Sequence, residues 1–282
     1  MPKVALVTDS TAYLPPELVE KYNITVLPQV LIWGDKTYRD GIDIQPDEFY
    51  KRLEKASVMP STSQALPADF EKVFRQLMDQ DQHVLAILLS EKLSGTMSSA
   101  YQACANLPGA PVEIVDSYST AMAMGFQLLQ VAKAAEEGAN LAECKKLAEE
   151  ARQYTGLFVT LNTLEFLHRG GRIGGGARFL GTALNLKPIL ELKEGRLEAV
   201  ERVRTRGKAL NRLVELVEER VNGRRPLRLA SLHANAAESA QGLLDNLNGR
   251  LEIDEMVIST VSPVVGTHVG PGTVGLAFMA GM

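Results

Sequence analysis

The chain has 282 residues, of which 45 % are hydrophobic and 23 % are charged, as in globular proteins with a sizeable core. These values exclude a fibre and a disordered chain, and the formal net charge of -4 gives no general attraction to nucleic acid or to anionic membranes. The longest continuous apolar run, Val84 to Leu89, is far too short to span a bilayer, which excludes stable membrane insertion. Because the first residues lack the length and flanks of a secretory signal, we expect a cytoplasmic protein.

The first half of the chain predicts strands that alternate with helices. Continuous apolar runs such as Val84 to Leu89 are typical of parallel strands that are buried on both faces. In chain order, the predicted elements are strand Lys3 to Val7, a helix after Pro15-Pro16, strand Ile24 to Ile32, helix Pro46 to Glu54, helix Pro67 to Met78, strand Val84 to Leu89, helix Ser94 to Ala105, strand Val112 to Val115 and two helical pieces between Ala121 and Tyr154. This half is therefore expected to form an α/β layer structure with a parallel sheet.

The second half predicts a different pattern, in which antiparallel pairing enters. Two apolar runs that flank Lys193-Glu194-Gly195 indicate a β-hairpin. In chain order, the predicted elements are strand Leu157 to Leu161, helix Ala177 to Leu184, strands Lys187 to Leu192 and Leu197 to Val203, an amphipathic helix from Leu210 to Val221, strand Leu227 to Leu232, helix Ala236 to Leu247, and strands near Glu255 to Thr260 and Val274 to Met279. We expect an N-terminal α/β domain over residues 1–155, packed against a C-terminal α/β domain with a mixed or antiparallel sheet over residues 156–282.

Only two cysteines are present, Cys104 and Cys144, and they form no paired motif. Neither a zinc site nor a disulfide framework is supported by this pattern. Cys144 recurs with apolar residues on one predicted helical face, where a buried thiol behaves as a small hydrophobic side chain. We therefore expect no metal and no cofactor.

Small hydroxyl residues follow the predicted strands. In parallel α/β sheets, the crevice beyond the carboxyl ends of the strands is where hydroxyls and free N–H groups hold anionic ligands. Ser94 lies just after strand Val84 to Leu89 and ahead of a helix, and Thr62 with Ser63 occupies a predicted loop. A helix cap or an ordinary Ser/Thr turn is the alternative explanation for each of them.

His268 lies within a glycine-rich segment, which permits close approach of the backbone. A structural role and a ligand role are both open for this histidine. Ser94, His268 and Asp9 suggest a second hypothesis, a serine-dependent hydrolase or phosphotransferase acting on a small acidic substrate. Ser94 does not lie in a G-x-S-x-G elbow, however, and the segment contains no dedicated oxyanion loop.

Basic residues gather in two places in an otherwise acidic chain. Arg169 and Arg172 flank a glycine-rich segment that lacks the order of a phosphate-binding loop, and a second group follows the predicted hairpin. The second group comprises Arg202, Arg204, Arg206 and Lys208. Together the two groups suggest a docking surface, and an ordinary solvated face is the alternative.

Eight short motifs occur in one order along nearly the whole chain. They are Val7-Thr8-Asp9-Ser10-Thr11, Tyr38 to Gly41, Thr62-Ser63-Gln64, Leu93-Ser94-Gly95-Thr96, Val115-Asp116-Ser117, Gly170-Gly171-Arg172-Ile173, Leu186-Lys187-Pro188 and His268-Val269-Gly270-Pro271-Gly272. With these motifs the sequence resembles the DegV family. One departure is Ala65-Leu66, where the family often has a proline and a small residue.

The resemblance implies a DegV-like two-domain fold that binds a long-chain fatty acid such as palmitate in a buried tunnel between the domains. It implies a lipid-binding protein and not an enzyme, similar to the fatty acid-binding subunit of bacterial fatty acid kinase, which presents the carboxylate to a separate kinase. The implied carboxylate contacts are Thr62 and Ser94, with His268 as a supporting donor. The same motifs bring Ser63, Gly95 and Thr96 into the predicted fatty acid site, and the family resemblance assigns Arg172, Arg202 and Arg204 to kinase docking.

The length of the bound chain is expected to depend on large apolar residues at the inner end of the tunnel. The candidates for this end are Met122, Met124, Phe158, Phe166 and Phe278, which suit an ordinary hydrophobic core equally well. The sequence leaves the preferred chain length and the oligomeric state open. A lipid-sensing regulator is a third hypothesis, but it needs a protein or DNA partner that the charge balance does not indicate.

Overall fold

The structure is a computed structural model, which describes residues 2–179 and 186–282. The strands in these residues are β1 Val4–Asp9, β2 Thr25–Leu27, β3 Val30–Trp33, β4 Lys36–Arg39, β5 Ser61–Ser63, β6 His83–Leu88, β7 Val112–Asp116, β8 Thr155–Thr160, β9 Lys187–Lys193, β10 Arg196–Val203, β11 Leu227–His233, β12 Glu255–Thr260 and β13 Val274–Ala280. The helices are α1 Pro16–Lys21, α2 Pro46–Leu53, α3 Pro67–Met78, α4 Thr96–Ala105, α5 Ala121–Glu136, α6 Leu141–Ala151, α7 Glu165–Arg169, α8 Arg206–Val221, α9 Ala237–Asn248 and α10 Pro263–Val269.

The first sheet consists of four parallel strands in the order β2-β1-β6-β7. Helices cover both of its faces, and successive residues of β6 point in opposite directions. Val84, Ala86 and Leu88 pack with α3 and α4. Leu85 and Ile87 pack with α5 and α6 on the other face. This arrangement is the one that continuous apolar runs predict, and the predicted parallel α/β layer is confirmed.

The second sheet is mixed, with six strands in the order β10-β9-β8-β13-β11-β12. Only β11 and β12 pair in parallel, and the other neighbours are antiparallel. Helices α8 and α9 cover one face, to which they contribute Leu213, Val217 and Leu244. The predicted mixed or antiparallel sheet is confirmed.

The predicted hairpin forms from β9 and β10. Glu194 and Gly195 in its turn have φ angles of 48° and 82°, as a turn that continues the twist of two strands requires. The turn contacts the first half of the chain, because Lys92 Nζ donates to Glu194 O at 2.7 Å. A β-carbon at residue 195 would overlap the Ser90 side chain, so glycine permits this close approach.

Helix α5 is apolar on nearly all sides because it packs between the two sheets. Met122 and Phe126 belong to the core cluster that includes the second sheet. Met124 and Leu128 belong to the cluster under the first sheet. The helix therefore joins the two halves of the chain, while the division into domains at residues 155 and 156 stays a prediction.

A third sheet, antiparallel in the order β4-β3-β5, is not predicted by the sequence. The apolar run Ile24 to Ile32 predicts one strand, but Pro28, which has no backbone N–H, separates β2 in the first sheet from β3 in the third. The segment with Thr62 and Ser63 predicts a loop, because strand β5 carries only hydroxyl side chains. It pairs with β3 through its backbone, and Thr62 lies opposite the fully buried Leu31.

Two further predictions differ from the structure in the bounds of a helix. Helix α4 begins at Thr96, so Ser94 lies in the preceding turn. His268, for which the sequence predicts no element, lies in the last turn of α10, which begins with Pro263. The predicted helix Ala177 to Leu184 extends outside the described residues, and its described part belongs to the 3-10 turn Gly174–Phe179. Among the described helices, none has the length and hydropathy that crossing a bilayer requires.

Replacing Phe126 with Ala should lower the free energy of unfolding by about 3–5 kcal/mol, because the side chain is fully buried between α5 and the second sheet. Urea denaturation followed by circular dichroism measures the change. Lys146→Ala, on the exposed face of α6, should stay within about 0.5 kcal/mol of the unmodified protein. Equal effects of the two substitutions would contradict the placement of α5 as the shared core helix.

Candidate functional site

A cavity lies between residues of the first and second halves of the chain. Its empty volume is ≈ 990 Å³ when the part that is open to solvent is included. The aliphatic lining consists of Leu89, Leu93, Ala121, Leu157, Val159, Leu161, Leu167, Leu192, Leu197, Leu232, Val261, Val264, Val265 and Val269. A cavity with such walls favours an apolar ligand over a polar one.

Polar side chains at the opening of the cavity come from three elements. Thr62 lies on β5, Ser94 in the turn before α4, and His268 on α10. A second pocket of ≈ 530 Å³, counted out to solvent, shares Thr62, Arg172 and His268 with the cavity. These three residues therefore mark the boundary between the buried space and the outer pocket.

His268 is held as a neutral imidazole beside Thr62. Burial, with a smaller contribution from the charge of Arg172, lowers the pKa of His268 to about 4. Its Nε2 lies 2.7 Å from Thr62 Oγ1. Its buried Nδ1 has no hydrogen-bond partner in the described part of the chain, and it packs against Gly170, where a β-carbon would overlap the ring.

The hydrogen-bond partners of the two ring nitrogens determine which nitrogen of His268 carries the proton. A buried N–H without an acceptor is costly, so we assign the unpartnered Nδ1 as unprotonated and Nε2 as the donor to Thr62. Thr62 Oγ1 then accepts this bond, and its own hydroxyl proton is free for another group. The pair of side chains therefore offers a hydroxyl donor at the opening of the cavity.

Ser94 is fixed by the residue that begins α4. Ser94 Oγ lies 2.9 Å from Thr96 Oγ1 and accepts the Thr96 backbone N–H at 3.3 Å. Thr96 is fully buried behind Ser94 and does not line the cavity, and neither does Gly95, which packs against Gln64. Among the predicted ligand residues, Thr62, Ser63, Ser94 and His268 reach the cavity, whereas Gly95 and Thr96 support them.

The residues of the hydrolase hypothesis do not form a relay. His268 bonds to Thr62, and the hydroxyl beside Ser94 is that of Thr96. The buried Asp9 carboxylate accepts bonds from the Thr11 N–H at 3.0 Å and the Leu89 N–H at 2.9 Å. Ser94, His268 and Asp9 thus lack the mutual hydrogen bonds that activate a nucleophilic serine.

The three arginines assigned to docking occupy different settings. Arg172 Nε donates to Leu93 O at 3.0 Å, directly before Ser94, and its Nη1 donates to Gly170 O at 2.7 Å. Arg202 and Arg204 are exposed on and after β10, and the Arg202 guanidinium lies 5.1 Å from the centre of the Phe179 ring. Only Arg172 therefore belongs to the opening of the cavity, and the docking role of all three stays a prediction.

The residues expected at the inner end of the tunnel do not line the cavity. Met122, Met124, Phe158 and Phe278 are fully buried in the hydrophobic clusters. Phe166 lines the outer pocket instead. The four fully buried residues therefore belong to the hydrophobic core, the alternative that the sequence left open for them. Within β8, neighbouring residues point in opposite directions: Leu157 and Val159 face the cavity, whereas Phe158 packs under α8 and α9.

Gln29, which is not among the predicted site residues, lines the cavity and is 2 % exposed. Its side-chain Nε2 donates to Thr96 Oγ1 at 2.9 Å, and its Oε1 accepts the Ala65 backbone N–H at 3.1 Å. The signal was present in the sequence, because Gln29 is a polar residue that directly follows Pro28 inside an apolar run. A buried polar side chain in such a run requires hydrogen-bond partners.

The family comparison matches nearly the whole chain. The DegV family model, described as "Uncharacterised protein, DegV family", matches residues 3–281. A DegV domain-containing protein from Streptomyces coelicolor is 37 % identical over 275 residues, which cover 97 % of each chain. Protein DegV from Bacillus subtilis is 33 % identical over 276 residues, which cover 98 % of each. The chain belongs to the DegV family.

Solved structures of relatives have the same fold. A DegV family protein from Thermus thermophilus, whose structure is described as fatty acid binding, aligns with a TM-score of 0.93 at 35 % identity and covers 99 % of both chains. DegV from Bacillus subtilis, described as a fatty acid binding protein, aligns with a TM-score of 0.90 at 31 % identity, covering 99 % of this chain and 100 % of that one. The predicted DegV-like α/β fold is confirmed.

The low pKa of His268 predicts how stability depends on pH. The unfolded chain takes up a proton on this residue near pH 6.5, whereas the folded chain does so only near pH 4, so folding loses stability as the pH falls through this window. His268→Gln removes this proton, and the stability of the unmodified protein relative to the variant should therefore fall by up to about 1.4 kcal/mol per pH unit. Urea denaturation between pH 7.5 and 4 measures the difference, and parallel curves would contradict the assignment.

Proposed function

We propose that this protein binds one long-chain fatty acid, with the acyl chain in the aliphatic cavity and the carboxylate at its opening. The observation that carries the proposal is that Thr62 and Ser94, two hydroxyl residues, line a cavity whose walls are largely aliphatic. Relatives at 31–35 % identity whose structures are described as fatty acid binding support it. We propose a lipid-binding protein and not an enzyme acting alone.

The acyl chain supplies the affinity in this proposal. A palmitate-like acid has about 14 methylenes, and burial at about 0.8 kcal/mol each gives an upper bound near 11 kcal/mol before the costs of ordering the ligand. Leucine and valine side chains offer no polar group that a tail would leave without a partner. The head group then requires orientation more than additional binding energy.

Hydroxyl donors suit a carboxylate that has to react further. Thr62 and Ser94 each offer one hydroxyl proton, and neither forms the bidentate contact that an arginine makes with a carboxylate. A carboxylate held in this way keeps an oxygen accessible for attack on a phosphoryl group. We therefore propose that the bound carboxylate is presented to a separate fatty acid kinase, which docks near Arg172, Arg202 and Arg204.

Native mass spectrometry of the purified protein tests the lipid proposal. We expect one adduct with the mass of a long-chain fatty acid, which organic extraction and gas chromatography should identify. Val159→Phe places a larger side chain in the cavity wall and should reduce the adduct, whereas Phe at the exposed position Val58 should not. An unmodified protein without a lipid adduct, and without uptake of added palmitate, would contradict the proposal.

The presentation step has its own test. With a fatty acid kinase added, replacing both Thr62 and Ser94 with Ala should lower the formation of acyl phosphate by about tenfold or more, because the carboxylate loses two oriented donors. Lipid retention, which depends on the apolar tail, should fall much less. Equal losses of retention and phosphorylation would contradict the separate roles of tail and head.

Docking is tested with arginine variants. Arg202→Ala should weaken transfer by the kinase while lipid retention stays unchanged, because Arg202 is exposed and lies outside the cavity lining. Arg75→Ala, an exposed arginine on α3, serves as the matched control and should change neither quantity. An Arg202 variant that transfers as well as this control would exclude Arg202 from docking.

A further inference from the structure

The side chain of Gln29 links the two segments that carry the hydroxyl residues. Its Oε1 accepts the N–H of Ala65, which lies three residues after Thr62, at 3.1 Å. Its Nε2 donates to Thr96 Oγ1 at 2.9 Å, and Thr96 Oγ1 in turn lies 2.9 Å from Ser94 Oγ. One buried amide therefore connects the Thr62 segment with the Ser94 turn.

The orientation of this amide is determined by its surroundings. The Ala65 backbone N–H can only donate, so the group that faces it is the amide oxygen. Gln29 therefore presents its NH₂ group to Thr96, and its amide cannot be reversed without placing its NH₂ group against the Ala65 N–H, two donors together.

The orientation of the Gln29 amide determines the direction in which the hydroxyl groups of Thr96 and Ser94 donate. Thr96 Oγ1 accepts from Gln29, and its own proton has two acceptors, Ser94 Oγ at 2.9 Å and the more distant Gln29 Oε1 at 3.2 Å. Donation to Ser94 is the shorter bond, and the Thr96 N–H also donates to Ser94 Oγ. With both of these bonds accepted, the hydroxyl proton of Ser94 is free to donate into the cavity.

We propose that Gln29 is a positioning residue that acts through Thr96 to hold Ser94 as a hydrogen-bond donor toward the head group. This inference rests on the proposed function, because the head group at the opening is the fatty acid carboxylate. His268 likewise donates to Thr62 and leaves the Thr62 hydroxyl proton free. The two chains of hydrogen bonds end in two donors, which select a ligand whose head group only accepts.

The expected preference between head groups follows from the number of protons and acceptor oxygens that each head group carries. A carboxylate has two acceptor oxygens and no proton, so both donors are satisfied by charge-assisted bonds. The alcohol of the same chain length has one oxygen and carries a proton that finds no acceptor between two donors. Binding should therefore favour palmitate over palmityl alcohol, although both tails fill the same cavity.

Displacement of a fluorescent fatty acid at pH 7.5 measures the affinity of the delipidated protein for palmitate and for palmityl alcohol. Gln29→Met preserves the length of the side chain but removes its polar groups. It should weaken palmitate binding by about tenfold, and alcohol binding by less than about threefold. In a Ser94→Ala background the same change should alter palmitate binding by less than about twofold, because the residue through which Gln29 acts is gone.

Two further variants separate positioning from a structural effect. Thr96→Val should reproduce the loss of palmitate affinity and Thr96→Ser should restore it, because only serine retains the hydroxyl that links Gln29 to Ser94. Gln102→Met, the same substitution on the exposed face of α4 outside the cavity lining, is the matched control and should leave both affinities unchanged. The threonine variants also keep the test decisive if Gln29→Met fails to fold.

The possible outcomes distinguish this inference from the proposed function. Gln29→Met that weakens acid and alcohol equally, or that has the same effect with and without Ser94, would overturn the positioning role alone. Unchanged palmitate binding in Thr96→Val would do the same. An unmodified protein that binds neither ligand would overturn the proposed function and this inference with it.

Discussion

The packing of α5 between the two sheets is the constraint on which the rest of the structure depends. Met122 and Phe126 contact the second sheet, while Met124 and Leu128 contact the first, so one helix fixes the distance between the two halves of the chain. Ala121, in its first turn, lines the cavity that the two halves enclose. The walls of this cavity are largely aliphatic because much of the lining comes from one face of the second sheet, including Leu157, Leu192 and Leu232.

Among the polar groups that line this space, Thr62 and Ser94 are each held by a hydrogen bond to a neighbouring side chain. The pKa of His268 is lowered because the ring is buried beside the charge of Arg172, and the neutral ring can then share its proton with Thr62. Gln29 has the corresponding position behind Ser94. The site therefore combines a large apolar wall, whose contacts with a ligand would have no preferred direction, with two hydroxyl groups. The hydrogen bonds of these hydroxyl groups are oriented by buried partners.

The sequence predicted the parts of the fold that leave a periodic signal. Continuous apolar runs such as Val84 to Leu89 identified the parallel sheet, and the hairpin around Gly195 was evident from its turn residues. Strand β5 left no such signal because its hydroxyl side chains show no alternation. Its pairing is a backbone interaction with β3, which the side chains do not reveal.

The cavity itself was predicted only from the family resemblance, and its apolar lining could not be told from ordinary hydrophobic core. Phe158 lies between Leu157 and Val159 in one strand, and no property of these three side chains tells which face of the sheet remains uncovered. That depends on where α8, α9 and α5 pack, which is a property of the whole chain. Thr62, Ser94 and His268 were identified because short motifs carry them, whereas Gln29 lies outside those motifs.

The β9–β10 hairpin has a consequence for cohesion between the halves of the molecule. Leu192 and Leu197, on either side of its turn, line the cavity, while the turn itself contacts Ser90 and Lys92 in the first half. A ligand in this cavity would therefore contact both the hairpin and the first half of the chain. By thermodynamic linkage, a ligand that binds the folded state alone would raise the free energy of unfolding with the logarithm of its concentration, once that concentration exceeds Kd, and would oppose separation of the two halves.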